Sequence, residues 1–207
     1  MTSSNLVRLG GLAALLGGVL VIIADLLSLI TIRAGSLSGD FSQLATTRAY
    51  AFTIALYPLA AILLLGGLVA LYVHQSEAAG TLGFIGFLLA FFGTAMVMGL
   101  GWAQLFVAPN VAEVAPESLD ASFFWPSGLS LAVTLAPWVL GLLLFGLATL
   151  RARVYPRAAA IILIVGAVIV GLPLPLNNVV SGIGGAWLGF VLFTGKTAAE
   201  QPESRVR

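Results

Sequence analysis

LGGLAALLGGVLVIIADLLSLITI, residues Leu9–Ile32, carries a single charge, Asp25, in an otherwise apolar run. A helix needs about 20 apolar residues to cross a bilayer, so this stretch reads as a membrane span. Asp25 is the only acid placed well inside an apolar run; every other carboxylate falls in a stretch that reads as loop or tail. A charge in hydrocarbon costs about 3 kcal/mol on insertion scales and marks a functional-site hypothesis by default. The run is longer than the roughly 7–15-residue core of a signal peptide, contains an acid and precedes no small-x-small cleavage site. It therefore reads as a permanent helix.

The rest of the composition agrees. The 207 residues are 60% hydrophobic and 8% charged, with a mean hydropathy of +1.10. Soluble domains carry about 25% charged residues, so a water-soluble fold could not cover its surface here. A net charge of +1 gives no footprint for nucleic acid. There is no cysteine and one histidine, His74. That excludes disulfides, thiolate metal sites, a bis-histidine haem within one chain and a three-histidine zinc site, and no cofactor is expected. The 24 glycines suit membrane helices, where they let backbones approach.

Six spans are predicted: Leu9–Ile32, Ala49–Val73, Thr81–Val107, Ser127–Leu150, Ala158–Leu172 and Val179–Thr194. The expected fold class is all-α, a single bundle over residues 1–195 followed by a polar cytoplasmic tail, 196–207. The last two segments are short and are separated by LPLPLNN, Leu172–Asn178. Its prolines cannot continue a regular helix, so it reads as a turn near the membrane edge or a re-entrant bend rather than a kink in one long helix.

Lysines and arginines in the flanks set the orientation. With both termini inside, the cytoplasmic side holds seven, among them Arg8, Arg151, Arg153, Arg157 and Lys196, against Arg33 and Arg48 outside. The acidic loop Pro109–Asp120 then lies outside and is expected to form a short surface helix. Arg151, Arg153 and Arg157 form the basic loop between the fourth and fifth spans. They carry the topology signal and contact anionic head groups at about 1 kcal/mol each.

Small residues recur at spacing four: Gly10, Ala14 and Gly18 in the first span, Ser181, Gly185 and Gly189 in the last. Such stripes pack helices inside a bundle or dock another subunit, and the expected partners are the bilayer itself, other membrane subunits or further copies of the chain. Asp25 lies seven residues from Gly18, nearly two turns, so it points into the protein. Pro58 and Pro137 are 79 residues apart, as are Gly67 and Gly146, a weak echo of a parallel repeat of helix hairpins.

Polar residues within the spans gather in the outer half. They are Asp25, Ser28, Thr53, Tyr57, Trp102, Gln104, Ser130, Thr134, Trp138, Asn177, Asn178 and Ser181, while the inner half is almost wholly aliphatic. From these, Asp25, Ser28, Tyr57, Trp102, Gln104, Asn177 and Asn178 are the candidates for a ligand or proton site. One arrangement covers them: a polar cavity open to the outside above a dry inner plug. The plainer alternative pairs Asp25 with Arg33 or Arg48 and leaves the aromatics as interface anchors. No serine–histidine pair, paired carboxylates, HExxH or phosphate loop is present, so no enzyme is expected.

Two resemblances add context. GLLLFGLATLRARVYPRAAAIILIVG, Gly141–Gly166, with its Arg-x-x-Val-x-Pro-Arg turn, and the opening LGGLAALLGG resemble small uncharacterised multi-pass proteins of bacteria. That resemblance implies a bacterial inner-membrane protein. In architecture the chain also resembles the substrate-binding subunits of energy-coupling-factor transporters, six-helix proteins that bind solutes near the outer face and dock through a small-residue stripe. No vitamin-specific motif accompanies it. The expectation is a non-enzymatic binding or accessory subunit, with a small-solute or proton-coupled transporter centred on Asp25 as the alternative.

Overall fold

In the computed structural model, residues 3–36, 41–121, 128–172 and 174–195 are described. The tail 196–207 and the start of the fourth predicted span at Ser127 lie outside them, as do the side chains of Arg33 and Ser130. Every regular element is helical: α1 (Ser3–Ser36), α2 (Phe41–Ala45), α3 (Arg48–Phe106), α4 (Ala108–Val114), α5 (Pro116–Ala121), α6 (Gly128–Ala152), α7 (Arg157–Val170) and α8 (Val179–Thr194). Three helices, in α1, α3 and α6, are long and apolar enough to cross a membrane, and α7 and α8 are shorter apolar helices.

The 59 residues of α3 would run about 88 Å if straight. They do not. Gly80 adopts φ 55°, ψ −154°, a conformation open to glycine alone. The chain reverses there, and its two limbs, 48–79 and 81–106, lie antiparallel. Tyr72 stacks on Phe87 at 4.5 Å between ring centroids, and Gly101 faces Pro58. The second and third predicted spans are thus these limbs, and the expected loop 74–80 shrinks to one residue because helix continues to its edge.

Six long segments result among the described residues, and their contacts close a ring. α1 lies antiparallel to the first limb of α3, with Ala14 against Gly67. The second limb lies against α6, with Gly86 facing Phe145 and Gly141 facing Ala90. Gly146 meets Ile164 of α7, and Gly166 meets Ser181 of α8. α8 returns to α1. The echo between Gly67 and Gly146 does not extend to packing: one faces the helix before it, the other the helix after it.

The small-residue stripes are used inside this ring, and each is split between neighbours. Gly10 and Ala14 face Ala70 and Gly67, Gly18 faces Gly182 and Ala186, and Gly189 faces Leu15 and Gly11. Gly185 points instead at the interior. The outward face of α1 is the reverse, with Leu16, Val19, Ile23, Leu26 and Ile30 exposed. Sorting is by size: with no hydrophobic drive between helices in lipid, close packing of small residues brings them together.

α2, α4 and α5 form a cap at the end of the bundle that carries Arg48 and Phe106. Two short helices, rather than one, occupy the acidic loop. Their core is Ala45, Tyr50, Ile54, Ala112 and Leu119. Asp120 clasps α2 by accepting bonds from the Ser42 amide and hydroxyl at 2.7 and 2.8 Å.

Gly18 and Gly182 test the ring directly. A methyl group on Gly18 would sit 2.7 Å from the Ala186 amide nitrogen, and neither backbone can move without parting α1 from α8. Gly18→Val is expected to cost about 3 kcal/mol, the upper end for overpacking. Gly66→Ala, which meets nothing within 4 Å, is expected to be neutral or to stabilise by up to about 1 kcal/mol. Thermal unfolding of both variants in one detergent checks the contrast.

Candidate functional site

Asp25 sits on α1 where that helix crosses the first limb of α3 and the start of α8. It is 3% exposed. Its Oδ1 accepts from the Tyr57 hydroxyl and from Asn178 Nδ2, both at 2.9 Å, and its Oδ2 accepts from the Asn178 backbone N–H at 2.9 Å. Asn178 is the N-cap of α8. The carboxylate therefore occupies the positive end of that helix, where backbone donors and the macrodipole favour an anion. Among the described residues no cation pairs with Asp25. The expected partnership with Arg48 is replaced by this helix terminus, and the Arg33 side chain lies outside the described residues.

The other end of α8 is met by the same helix. Arg8 Nε donates to the Phe193 carbonyl at 3.3 Å, and its guanidinium lies 5.7 Å from the Phe193 ring centre. Arg8 and Asp25 are 17 residues apart, about 26 Å of helix, and α8 is about 24 Å long. α1 thus presents a base to the negative end of α8 and an acid to its positive end.

The turn before α8 is the expected Pro- and Asn-bearing stretch. Leu176 takes φ 59°, and the Asn177 side chain bridges to the Val170 and Leu172 carbonyls at 3.4 Å while accepting from Asn178 Nδ2 at 2.8 Å. The turn's far side is exposed at Leu172 and Leu174, and only its Asn177–Asn178 end sits beside Asp25.

Next to it the ring lines a half-open cavity of about 290 Å³. Ser28, Tyr57, Gln104, Asn177 and Asn178 line it, joined by Thr94 and Trp138. Five of the seven sequence candidates thus reach one space, and Asp25 stands behind its wall, reaching it through Tyr57 and Asn178. Ser28 bonds the Asp25 carbonyl, one of the helix-internal bonds that serine commonly makes. The amide of Gln104 has no hydrogen-bond partner among the described residues.

Trp102 does not belong to the site. It is 57% exposed and packs on Phe106 at 4.5 Å between centroids, two positions away from the face that Gln104 presents inward. The apolar interface-anchor reading describes it. Trp138 and Thr94 are the lining residues that the candidate set omits. Thr94 lies in a run of Phe, Gly and Ala that gives no polar signal beyond itself.

A smaller space of about 60 Å³ adjoins the cavity, sharing Val21, Leu64, Thr94 and Trp138 with it. Its further walls are Leu68, Leu71, Leu142, Phe145, Leu163 and Leu188, the expected aliphatic plug. Beyond lies a buried polar pair with no warning in the sequence. Gln75 Nε2 donates to the Thr149 hydroxyl at 3.0 Å, and Gln75 Oε1 is buried without a partner. Tyr155, buried in the α6–α7 connection, donates to the Leu71 carbonyl at 3.4 Å, and burial pushes its phenol above the ordinary tyrosine value. His74 is exposed beside it. Arg151, Arg153 and Arg157 are exposed on this connection, Arg153 in the left-handed conformation that ends α6.

Among the described residues no cluster of ionisable side chains could hold a metal. Comparison with protein-family profiles, curated proteins and solved structures finds no match.

Asp25→Leu would strand three donors, the Tyr57 hydroxyl and both Asn178 groups, at about 1–3 kcal/mol each. The expected loss of unfolding free energy is at least about 3 kcal/mol. Tyr57→Phe removes one bond to a charged acceptor and is expected to cost about 2 kcal/mol. Denaturant unfolding of the two single variants and the double variant measures the coupling, and additive losses would contradict the shared site.

Proposed function

We propose that this protein is a non-enzymatic, solute-binding subunit that crosses a bacterial inner membrane six times, with both termini cytoplasmic, and holds a small molecule in its outer cavity. The observation that carries the reading is the convergence of Tyr57, Gln104, Trp138, Asn177 and Asn178, drawn from four segments of the ring, on one space of about 290 Å³. A mostly apolar cavity with a few placed polar groups is the usual form of a small-molecule site. Gln104 is free to bond an occupant, and the carboxylate behind the wall fixes Tyr57 and Asn178 in place.

A transport reading draws on the same cavity and on its narrowing into an aliphatic plug, the form of a site accessible from one side. Its proton-coupled version needs Asp25 to gain and lose a proton during the cycle. Three donors already hold that carboxylate, which supports a wall-building role instead.

Native mass spectrometry from nanodiscs is expected to find a small molecule retained by the protein and lost from Val97→Trp, which fills the cavity; identical spectra for both would count against the site. In the binding reading Asp25→Asn retains the molecule, whereas proton-coupled accumulation in vesicles would be abolished by it. The absence of cysteine makes orientation testable. Glu117→Cys is expected to react with an impermeant maleimide in intact cells, and Arg153→Cys only after lysis; the reverse pattern would invert the topology.

A further inference from the structure

Resting on the cavity-binding reading, we infer that the occupant is an uncharged amphiphile, with a hydrogen-bonding head in the wide outer cavity and a slender apolar tail in the slot beneath it. Three observations carry this. First, among the described residues that line both spaces there is no Asp, Glu, Lys, Arg or His. A charged occupant would lie buried without a counter-charge, an arrangement that low dielectric penalises heavily. Asp25, behind the wall, cannot serve a cationic ligand without surrendering the bonds that cap α8.

Second, the polarity is graded along one axis. Ser28, Tyr57, Gln104, Asn177 and Asn178 line only the wide part. The slot adds Leu68, Leu71, Leu142, Phe145, Leu163 and Leu188, with Ser181, whose hydroxyl is committed to the Asn178 carbonyl at 2.8 Å. Both donors and acceptors are offered to the head, since amide side chains carry each. The tail finds only hydrocarbon.

Third, the two spaces adjoin and differ in volume. Val21, Leu64, Thr94 and Trp138 border both, so the Trp138 ring stands at the junction of head and tail. About 60 Å³ is room for a few methylenes, whereas about 290 Å³ takes a polyol or amide head. Gly185 faces the slot, where an added methyl would meet only Leu64 at 3.9 Å, and so leaves it open on the α8 side.

Trp138 supplies the readout. Brominated probes of one chain length, an ω-bromoalkanol, an ω-bromoalkanoate and an ω-bromoalkyl-trimethylammonium, are titrated into nanodiscs at matched mole fraction in the bilayer. Quenching of Trp138 is taken as the difference between the native protein and Trp138→Phe. The alkanol is expected to quench saturably at a concentration at least tenfold lower than either charged probe. Leu188→Phe, which narrows the slot, is expected to weaken long-chain alkanols tenfold while leaving a short diol unaffected. Gln104→Leu is expected to weaken both. Tighter binding of a charged probe, or equal binding of long and short chains with no effect of Leu188→Phe, would overturn this inference and leave the cavity-binding reading intact. No saturable quenching by any probe would overturn both.

Discussion

The carboxylate of Asp25 at the start of α8 is the contact on which the rest of the arrangement depends. A charge of this kind is unfavourable in hydrocarbon, and a helix that begins inside the bundle leaves amide donors unsatisfied; each cost is met by the other. Asp25 takes the Asn178 amide at 2.9 Å, and the macrodipole of α8 supplies the positive potential that an arginine would otherwise bring. Arg8 meets the far end of α8, so α1 offers a complementary group to each end of that helix. Between the two ends Gly11, Gly18, Gly182 and Gly189 pack α8 against α1 and close the ring.

Ring closure in turn depends on side-chain size. The faces turned to neighbours carry Gly10, Ala14, Gly18, Gly182 and Gly189, and the faces turned outward carry Leu, Ile, Val and Phe. This sorting lets backbones approach at the walls while leaving room at the centre, because helices packed around a ring rather than a single seam do not fill its axis. The cavity is the remainder of that geometry, and the Asn177–Asn178 turn brings polar groups into it. Tyr57 links three roles: it bonds Asp25, lines the cavity and packs against the cap formed by α2, α4 and α5.

Much of this was legible in residue order. A run of 24 residues with one acid states a membrane helix, and the seven-residue step from Gly18 to Asp25 states that the acid points inward. The clustering of polar residues toward one end of every segment foretold a polar space there. Trp102 escaped correct placement because tryptophan is at home both in a pocket and at a membrane interface. Its neighbour Gln104, two residues on, faces the other way around the helix. The clasp of Ser42 by Asp120 and the buried pair Gln75–Thr149 join residues more than seventy positions apart, and nothing local to either member announces the other.

By itself, the sequence determined that the chain is all-helical and apolar enough for a bilayer, which helix faces are smooth, and that Asp25 had to find a partner within the protein. These follow from hydrophobicity, helical period and the cost of an isolated charge, all properties of short stretches. Only the tertiary structure decided which partner it was. Arg48 is near in sequence logic, and Asn178 lies 153 residues away. The choice fell to Asn178 because closing the ring carries the start of α8 to Asp25, where the dipole of an entire helix is aligned on the carboxylate, and no inspection of a single segment contains that alignment.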